Sequence, residues 1–344
     1  MLREPYNAQV VKDVVELQDR SKAVPLAFHK WWGEGLREKY GTKLDEITRD
    51  IPEDVLIARY EEPGYWDSPT DDPDYRWAFS ETQREEGAAK DATVLLDDWK
   101  YLDAYLDEFP DLNKQKDPFE KASSNIDQNP DRYALGHWPF CFYERIWSIR
   151  GMENVLRDFY ANPDSLNKLF QAILNHHKQV VRGFAKAGAD GILVTDDLGS
   201  QTSLMMSPDT FRQFLKPLYR ELIREVHKLG MQFWLHSCGN VEEILGDLIE
   251  VDLDVIHPIQ ASAMDYDGVR EQFGGLITFF IGFDVQYLLP GGTEEEVREG
   301  VRDIVHGFER EGGGLIIGAG NGILPDTPLE NIRAFLEEST LQGA

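Results

Sequence analysis

From about residue 131 onward, short apolar runs alternate with longer amphipathic stretches. The run Gly191–Thr195 is apolar almost throughout and is bounded by polar sequence. Such a run is typical of a strand buried on both faces, as in a parallel sheet. The amphipathic stretches carry apolar residues at helical spacing. The predicted strands of this region are 133–136, 191–195, 231–235, 255–256, 276–281 and 314–318.

Helix-start signals separate these predicted strands. Asn162-Pro163 and Ser207-Pro208 place a capping residue before a proline at the first helical position. Thr293 with Glu296 forms a capping box, and Asn240 with Glu243 resembles one. A fifth signal, Thr327-Pro328, predicts the start of the last helix. The chain therefore reads as repeated strand, loop and helix units.

Repeated units of this kind form a parallel sheet with right-handed crossovers. The glycine-rich dinucleotide fingerprint of an open sheet is missing from the sequence, so we predict an α/β protein with a closed (β/α)8 TIM barrel. We expect one domain spanning residues 1–344, with regular units over 131–338. Residues 1–130 are less regular, with an early strand at 24–29 and an acidic, proline-containing insertion at 61–91. We expect this part to be an N-terminal extension or insertion that covers one end of the barrel.

Composition narrows the class of protein. No apolar run reaches the roughly 18 residues of a membrane span, and the first residues lack an apolar signal region. Two cysteines suit a reducing compartment, so we expect a soluble, cytoplasmic protein. The net charge of -27 repels nucleic acid and anionic membranes. A ligand with many carboxylates would need a cluster of arginines near the site, and the sequence offers none there.

His236 and Cys238 are the most informative pair, because an apolar run delivers both to a predicted strand end. Residues two apart in an extended chain point to the same face, so the imidazole and the thiol can reach one point. Thiolate and imidazole are zinc ligands. A bare His-x-Cys is also compatible with a buried cysteine beside a hydrogen-bonded histidine, since zinc needs at least three protein ligands.

In barrels of this kind the chemistry lies at the carboxyl ends of the strands. Asp196 and Asp197 follow one predicted strand, and such adjacent carboxylates suit proton transfer, metal binding or ligand anchoring. Loops are polar in any protein, so a capping role for either is equally open. The tryptophans near the strand ends could wall a pocket or belong to the core. The candidate residues at these ends are His29, Trp31, His137, Trp138, Asp196, Asp197, His236, Cys238, His257, Gln260, Asp284, Gln286 and Asn321.

Taken in order, these motifs resemble the uroporphyrinogen decarboxylase superfamily, which includes zinc-dependent, corrinoid-linked methyltransferases. The resemblance covers roughly residues 130–335. It is carried by Asp196-Asp197-Leu-Gly-Ser-Gln201, Ser207-Pro208, His236-Ser-Cys238-Gly-Asn-Val241, Pro258-Ile-Gln260, Gly282-Phe-Asp284-Val-Gln286 and the closing Pro325-Asp-Thr-Pro-Leu-Glu-Asn331.

Two departures from the family pattern matter. The arginine-rich signature of the decarboxylases proper is replaced by Leu26-Ala-Phe-His29-Lys-Trp-Trp-Gly33, which argues against decarboxylation of uroporphyrinogen. The His236 to Val241 segment resembles the methyltransferase branch, in which a later Cys or His completes the zinc site. Asn321 stands at that later position and is a poor zinc ligand. The third ligand would then come from Asp197, Asp284 or Glu242, or the ion is weakly held or absent.

The resemblance implies a methyltransferase that works with a corrinoid protein and a small substrate, such as a methoxylated aromatic compound or a thiol. It implies His236 and Cys238 as zinc ligands, with Asn321 at the third position. The predicted catalytic residues are Asp197, Asp196 and Cys238. The predicted substrate-binding residues are His29, Trp31, His137, Trp138, Gln201, His257, Gln260, Asp284 and Gln286. A decarboxylase of another carboxylic acid and a non-catalytic barrel remain alternatives, and relatives suggest a homodimer.

Overall fold

One parallel sheet of seven strands, in sequence order β1 to β7, organises the part of the chain that the structure describes. The structure is a computed structural model, and it describes residues 3–27, 32–61, 94–114, 117–309 and 312–343. The strands are β1 Val55–Arg59, β2 Tyr133–Trp138, β3 Gly191–Thr195, β4 Gln232–His236, β5 Val255–Ile259, β6 Thr278–Phe283 and β7 Leu315–Ala319. Each strand pairs in parallel with the next, so all carboxyl ends lie at one edge.

Helices connect these strands and cover the outer face of the sheet. They are α1 Ala8–Val15, α2 Leu36–Tyr40, α3 Thr42–Thr48, α4 Leu102–Asp107, α5 Glu120–Asp127, α6 Tyr143–Arg150, α7 Met152–Ala161, α8 Pro163–Lys186, α9 Pro208–Thr210, α10 Lys216–Lys228, α11 Glu242–Ile249, α12 Tyr266–Phe273, α13 Leu288–Gly291, α14 Glu294–Phe308 and α15 Leu329–Gln342. A π-helical turn, Phe211–Leu215, joins α9 to α10, and short 3-10 turns lie at Trp99–Tyr101 and Leu112–Lys114.

Alternation along each strand divides the core into two layers. One set of side chains packs on the inner face of the curled sheet, and the opposite set packs under the helices. The inner layer consists of Val55, Tyr133, Leu135, Leu193, Trp234, Val255, Phe280 and Ile316 together with Val11, Val14 and Val15 of α1. Helix α1 therefore closes the amino-terminal end of the sheet, and the carboxyl-terminal end stays available for polar groups.

Residues 25–27 run alongside β7. The amide of Ala27 donates to the carbonyl of Ile317, whose own amide donates to the carbonyl of Pro25. On the other side, the amide of Asp54 donates to the carbonyl of Leu26 at 3.0 Å, just before β1 begins. The predicted α/β fold with a parallel sheet is thus confirmed, and the described residues form seven assigned strands of a curled sheet. The closed eight-stranded barrel stays a prediction.

Two predicted helix starts are wrong in detail. Val241 and not Asn240 is the residue before α11; Oδ1 of Asn240 accepts from the amide of Glu242 at 3.1 Å, and its Nδ2 donates to the carbonyl of Ala263. Pro328 precedes α15 without a side-chain cap, and Thr327 is buried before it. The capping box of Thr293 and Glu296 is confirmed, with both reciprocal hydrogen bonds present.

None of the helices within the described ranges is long and apolar enough to cross a membrane.

Candidate metal centre

The loops after β3 and β4 lie side by side at the carboxyl edge and are joined along their length. Strand register places Thr195 beside His236. Beyond the strands, the amide of Cys238 donates to Oδ1 of Asp197 at 3.0 Å. The amide of Asn240 donates to the carbonyl of Ser200 at 2.7 Å. These bonds bring an acidic side chain and a thiol from two separate loops to one place.

Two glycines allow this close approach. Gly239 has a φ of +85°, a backbone conformation that residues other than glycine rarely adopt. A Cβ at Gly239 would lie 2.5 Å from the carbonyl carbon of Gly199, and a Cβ at Gly199 would lie 2.7 Å from the amide nitrogen of Asn240. Neither loop could carry a side chain at these positions unless the two loops moved apart.

Three potential metal ligands converge at this point. The Nε2 atom of His236 lies 3.3 Å from Sγ of Cys238 and 3.7 Å from Oδ1 of Asp197. All three ligand atoms lie within 4.8 Å of one another. His236 is buried, whereas Asp197 and Cys238 are half-buried and line a cavity. The arrangement offers one nitrogen, one sulfur and one oxygen to a single ion.

Distances and chemistry of this donor set fit zinc. Zinc takes thiolate at about 2.3 Å and imidazole or carboxylate at about 2.0–2.2 Å, so two ligands on a tetrahedral ion lie roughly 3.3–3.6 Å apart. The two separations that involve Nε2 of His236, 3.3 and 3.7 Å, are close to that range, and the third separation is within 4.8 Å. Three protein ligands with a fourth position open are typical of catalytic zinc sites.

Asn321 approaches the same sulfur as a hydrogen-bond donor. Its Nδ2 lies 3.4 Å from Sγ of Cys238, while its Oδ1 accepts from the amide of Gly322 at 2.7 Å. An amide nitrogen has no free lone pair for a metal ion. In this orientation the Asn321 side chain presents no metal-binding atom to the sulfur, and the third potential ligand of the cluster is the half-buried carboxylate of Asp197.

A cavity of about 200 Å³ adjoins the cluster. Five predicted site residues besides Asp197 and Cys238 line it: Gln201, Gln260, Asp284, Gln286 and Asn321. The other lining residues were not predicted as site residues: Ala261, Ser262, Gly282, Phe283, Val285 and Gly320. The signal that could have found Gly282 is its place in the motif Gly282-Phe-Asp284-Val-Gln286: a Cβ at Gly282 would lie 2.5 Å from the Cα of Gly320, so no side chain fits there.

A sequence model described as uroporphyrinogen decarboxylase (URO-D) matches residues 143–340, which is more than half of the 344-residue chain. The chain belongs to the uroporphyrinogen decarboxylase family. The resemblance drawn from the strand-end motifs is thereby confirmed.

Relatives of this URO-D family chain include both methyltransferases and decarboxylases. It is 27% identical over 194 residues to methylated-thiol--coenzyme M methyltransferase of Methanosarcina mazei, covering 55% of this chain and 48% of the relative. It is 28% identical over 172 residues to methylcobamide:CoM methyltransferase MtaA of Methanosarcina barkeri, covering 49% and 48%. It is also 28% identical over 187 residues to uroporphyrinogen decarboxylase of Danio rerio, covering 53% and 48%. The chain thus spans about half the length of the curated relatives it matches.

A solved structure described as a methyltransferase from Methanosarcina mazei shares the fold of this URO-D family chain. The TM-score is 0.66 at 18% identity, and the superposition covers 97% of this chain and 98% of the other. The similarity therefore extends over the irregular first part of the chain as well as the regular units.

Asp196 has a different environment from its neighbour. It is fully buried and accepts hydrogen bonds from the amides of Phe142, Tyr143 and Glu144 and from the hydroxyl of Tyr219. Burial raises the pKa of Asp196 to about 6, although these four donors favour its charged form. The prediction of a catalytic Asp196 is corrected here: this carboxylate holds the start of α6 and does not face the cavity.

His137 and Trp138 end β2 on opposite faces. The Nδ1 of His137 lies 3.0 Å from the carbonyl of Leu193, and burial together with nearby Arg59 lowers the pKa of His137 to about 4. Trp138 is buried against the rings of His177 and Phe184 in α8. Trp138 is therefore a core residue, which corrects its assignment to the substrate pocket.

Four of the predicted residues remain to be located: Glu242, His29, Trp31 and His257. Glu242 lines a separate groove with Arg212 and Lys216, so it does not reach the cluster. His29 and Trp31 lie outside the described residues. His257 is buried beneath His236 and is not among the residues that line the cavity.

Proposed function

We propose that the protein is a zinc-dependent methyltransferase of a corrinoid-dependent system, which moves a methyl group between a small substrate and a corrinoid carried by a partner protein. The observation that carries the proposal is the convergence of Asp197, His236 and Cys238 beside a cavity at the carboxyl edge of the sheet. The names of two relatives, which describe methyl transfer involving methylcobamide, thiols and coenzyme M, support the reaction class. Two free cysteines suit the reducing cytoplasm expected for such an enzyme.

The cavity supports a small substrate. Its volume of about 200 Å³ is below the roughly 300–1,000 Å³ of pockets that hold drug-sized ligands. The amides of Gln201, Gln260 and Gln286 can donate to and accept from polar groups of the substrate, and Phe283 and Val285 offer apolar contact. A small thiol or a small methoxy compound fits this combination.

Zinc, when bound, would supply a Lewis acid that lowers the pKa of a bound thiol or stabilises a departing oxygen. His236 and Cys238 would hold the ion from the end of β4, and Asp197 would hold it from the end of the neighbouring β3. The hydrogen bond from the amide of Cys238 to Oδ1 of Asp197 joins the two loops, so the three ligand atoms stay together. The amide of Asn321 donates to the sulfur and offsets part of the negative charge of a thiolate.

Metal content tests the proposal. We expect the purified protein to hold about one zinc ion per chain, and we expect His236→Ala and Cys238→Ala to lose it, because two remaining ligands do not hold zinc. Cys141→Ala is the matched control: this second cysteine is fully buried, and burial raises the pKa of its thiol well above the usual value. Elemental analysis of the three variants after dialysis gives the result. Full zinc content in Cys238→Ala would contradict the ligand assignment.

Turnover tests the reaction class. Methylcobalamin and a small thiol such as coenzyme M are the first substrates to try, with loss of the methyl–cobalt absorbance as the readout. We expect activity in the wild type and in Cys141→Ala, and none in Cys238→Ala. A wild type that binds zinc but demethylates neither this nor other methylated corrinoids would remove the methyltransferase proposal.

A decarboxylase is the second candidate, because the family description and the Danio rerio relative both name that activity. In that case Asp197 would act as a proton donor at the open end of the sheet and no metal would be needed. Release of carbon dioxide from a carboxylic acid that continues in the presence of a chelator would select this function. Tight ligand binding without any turnover would select a non-catalytic barrel.

We also propose that residues 25–27 form the strand that closes the eight-stranded barrel. The support is the pair of backbone bonds to β7 on one side and the bond from Asp54 on the other. Amide hydrogen exchange of Ala27 and Ile317 tests it: protection equal to that of the neighbouring sheet is expected, and rapid exchange would contradict closure.

A further inference from the structure

Two buried histidines face each other beneath the cluster of Asp197, His236 and Cys238. Strand register places His236 of β4 beside His257 of β5, and their Nδ1 atoms lie 2.7 Å apart. The Nε2 of His257 lies 3.2 Å from the carbonyl oxygen of Ala319 at the end of β7. A carbonyl oxygen can only accept a hydrogen bond, so Nε2 of His257 carries the hydrogen.

This contact determines where the hydrogens lie on both rings. In a neutral imidazole one nitrogen donates and the other accepts. His257 donates through Nε2 and therefore accepts through Nδ1, so the hydrogen between the two rings belongs to Nδ1 of His236. The Nε2 of His236 is left unprotonated, and it lies 3.3 Å from Sγ of Cys238, whose thiol can donate to it. Only such an unprotonated nitrogen can bind a metal ion.

Packing holds the His257 ring in the orientation that this requires. The ring centroid of Phe280 lies 4.0 Å from that of His257, and Phe280 is in turn packed edge-on by Trp234. His257, Phe280 and Trp234 are all buried, so rotation of the imidazole would disturb the inner layer of the core. The line of contacts from Ala319 through His257 to His236 thus joins three strands.

We infer that His257 is a positioning residue that selects the tautomer of His236 able to bind a metal ion. The inference rests on the proposed function, because it assigns the ion to Nε2 of His236. It replaces the predicted contact of His257 with substrate by an indirect role, in agreement with the absence of His257 from the cavity lining. Partners of this kind, which orient the imidazole ligand and set its tautomer, accompany most histidine ligands of metal sites.

The tautomers can be read directly in the metal-free full-length chain. Long-range proton–nitrogen correlation spectra of protein labelled with ¹⁵N-histidine distinguish Nδ1–H from Nε2–H forms. We expect His236 in the Nδ1–H form and His257 in the Nε2–H form. His236 in the Nε2–H form would overturn the inference, whether or not the protein binds zinc.

Zinc affinity, measured by competition with a chromogenic chelator, provides the second test. We expect His257→Leu to weaken binding about 10- to 100-fold, since it removes the acceptor for Nδ1–H of His236. His257→Asn, whose amide oxygen can accept that hydrogen, is expected to recover part of the loss. His177→Leu is the matched control, because His177 is also buried and bonded to a carbonyl, that of Cys141 at 2.7 Å, but lies in α8.

The results of these tests distinguish the inference about His257 from the proposed zinc-dependent function. Wild-type affinity in His257→Leu, or an equal loss in His177→Leu, would overturn the inference while leaving the zinc site in place. A wild type that binds no zinc would remove the proposed function, and the tautomer spectra would then decide the inference alone. Should His257→Leu fail to fold, the spectra of the wild type and the affinity of His257→Asn still test it.

Discussion

Two adjacent carboxylates, Asp196 and Asp197, have opposite environments because consecutive residues leave a strand on opposite sides. Asp196 points outward and is enclosed by three backbone amides and a tyrosine hydroxyl. The side chain of Asp197 is 32% exposed and lies next to His236 and Cys238. The carboxylate of Asp196 therefore contributes to the stability of the fold, and that of Asp197 contributes to the proposed metal site.

Substituting each in turn separates these roles. In Asp196→Asn the amide NH2 must face at least one backbone donor, so we expect the free energy of unfolding to fall by about 3 kcal/mol. In Asp197→Asn the amide oxygen can still accept from Cys238, so we expect a change below about 1 kcal/mol in stability together with at least tenfold weaker zinc binding. Denaturant unfolding and chelator competition measure the two effects. Equal behaviour of the variants in both assays would contradict the division.

The sequence could predict that both carboxylates lie at a strand end, but it could not predict which one faces the cavity. The strand was predicted at residues 191–195, as observed. The direction of the side chains beyond it depends on the turn that follows, where Asp196 meets the start of α6. That contact joins residues more than fifty positions apart, and no local pattern signals it.

At the scale of elements, the loops after β3 and β4 act as one unit. The amide of Leu198 donates to Oγ of Ser237, which is fully buried, and the amide of Asn240 donates to Ser200. The backbones approach so closely that Gly239 faces the carbonyl oxygen of Ser200. The geometry of the metal ligands therefore depends on the absence of a side chain at position 239.

Gly239→Ala tests this dependence, with Gly230→Ala as its control. Both glycines have a positive φ, +85° and +77°, but a Cβ at Gly230 would meet nothing within 4 Å. The backbone strain alone costs about 1–2 kcal/mol, which we expect in Gly230→Ala. In Gly239→Ala we expect a loss of about 3 kcal/mol or more, with weakened zinc binding, because the loops must separate. Similar losses in both variants, with zinc affinity unchanged, would show that the close approach is unimportant.

Helices and strands with a strong local signal were predicted well, and those without one were not. The capping box at Thr293 was confirmed because its two hydrogen bonds are local. The capping box predicted for Asn240 and Glu243 is wrong, because Oδ1 of Asn240 accepts from the amide of Glu242 and the rest of the residue is held by bonds to Ser200 and Ala263. Strand β1, Val55–Arg59, was not predicted: it is short and polar sequence surrounds it.

At the scale of the whole molecule, burial sets the charge of several groups. Burial lowers the pKa of His176 to about 3 and that of His177 well below its usual value, and burial with the Arg59 charge lowers that of His137 to about 4. In the unfolded chain these histidines take up protons near pH 6.5. Falling pH therefore favours unfolding between about 6.5 and 4. Asp196, with a pKa raised to about 6, acts in the opposite sense but is a single group.

We therefore expect the free energy of unfolding to decrease as the pH falls from 6.5 to 4. Each neutral buried histidine contributes a slope of about 1.4 kcal/mol per pH unit in this interval. His176→Gln removes one such group, so its stability should depend less steeply on pH by about that amount. Urea unfolding of both proteins at several pH values measures the slopes. Parallel curves would show that His176 does not contribute.

The class of fold could be predicted from the sequence because each strand and helix unit carries its own pattern. The path of the first part of the chain could not, because residues 25–27 and Asp54 find their partners through contacts distant in sequence. The sequence also predicts that the site residues lie together at the carboxyl edge of the sheet. It does not predict that Asn321 donates to the sulfur of Cys238 or that Asp197 lies beside His236, because both contacts join loops that are distant in sequence.

Zinc K-edge X-ray absorption of the zinc-loaded protein tests the central claim most directly. One sulfur neighbour at about 2.3 Å with nitrogen or oxygen neighbours at about 2.0–2.2 Å is the predicted shell, and Cys238→Ala should lose the sulfur. A wild-type shell without sulfur, or a sulfur signal that persists in Cys238→Ala, would contradict a metal centre built from Asp197, His236 and Cys238.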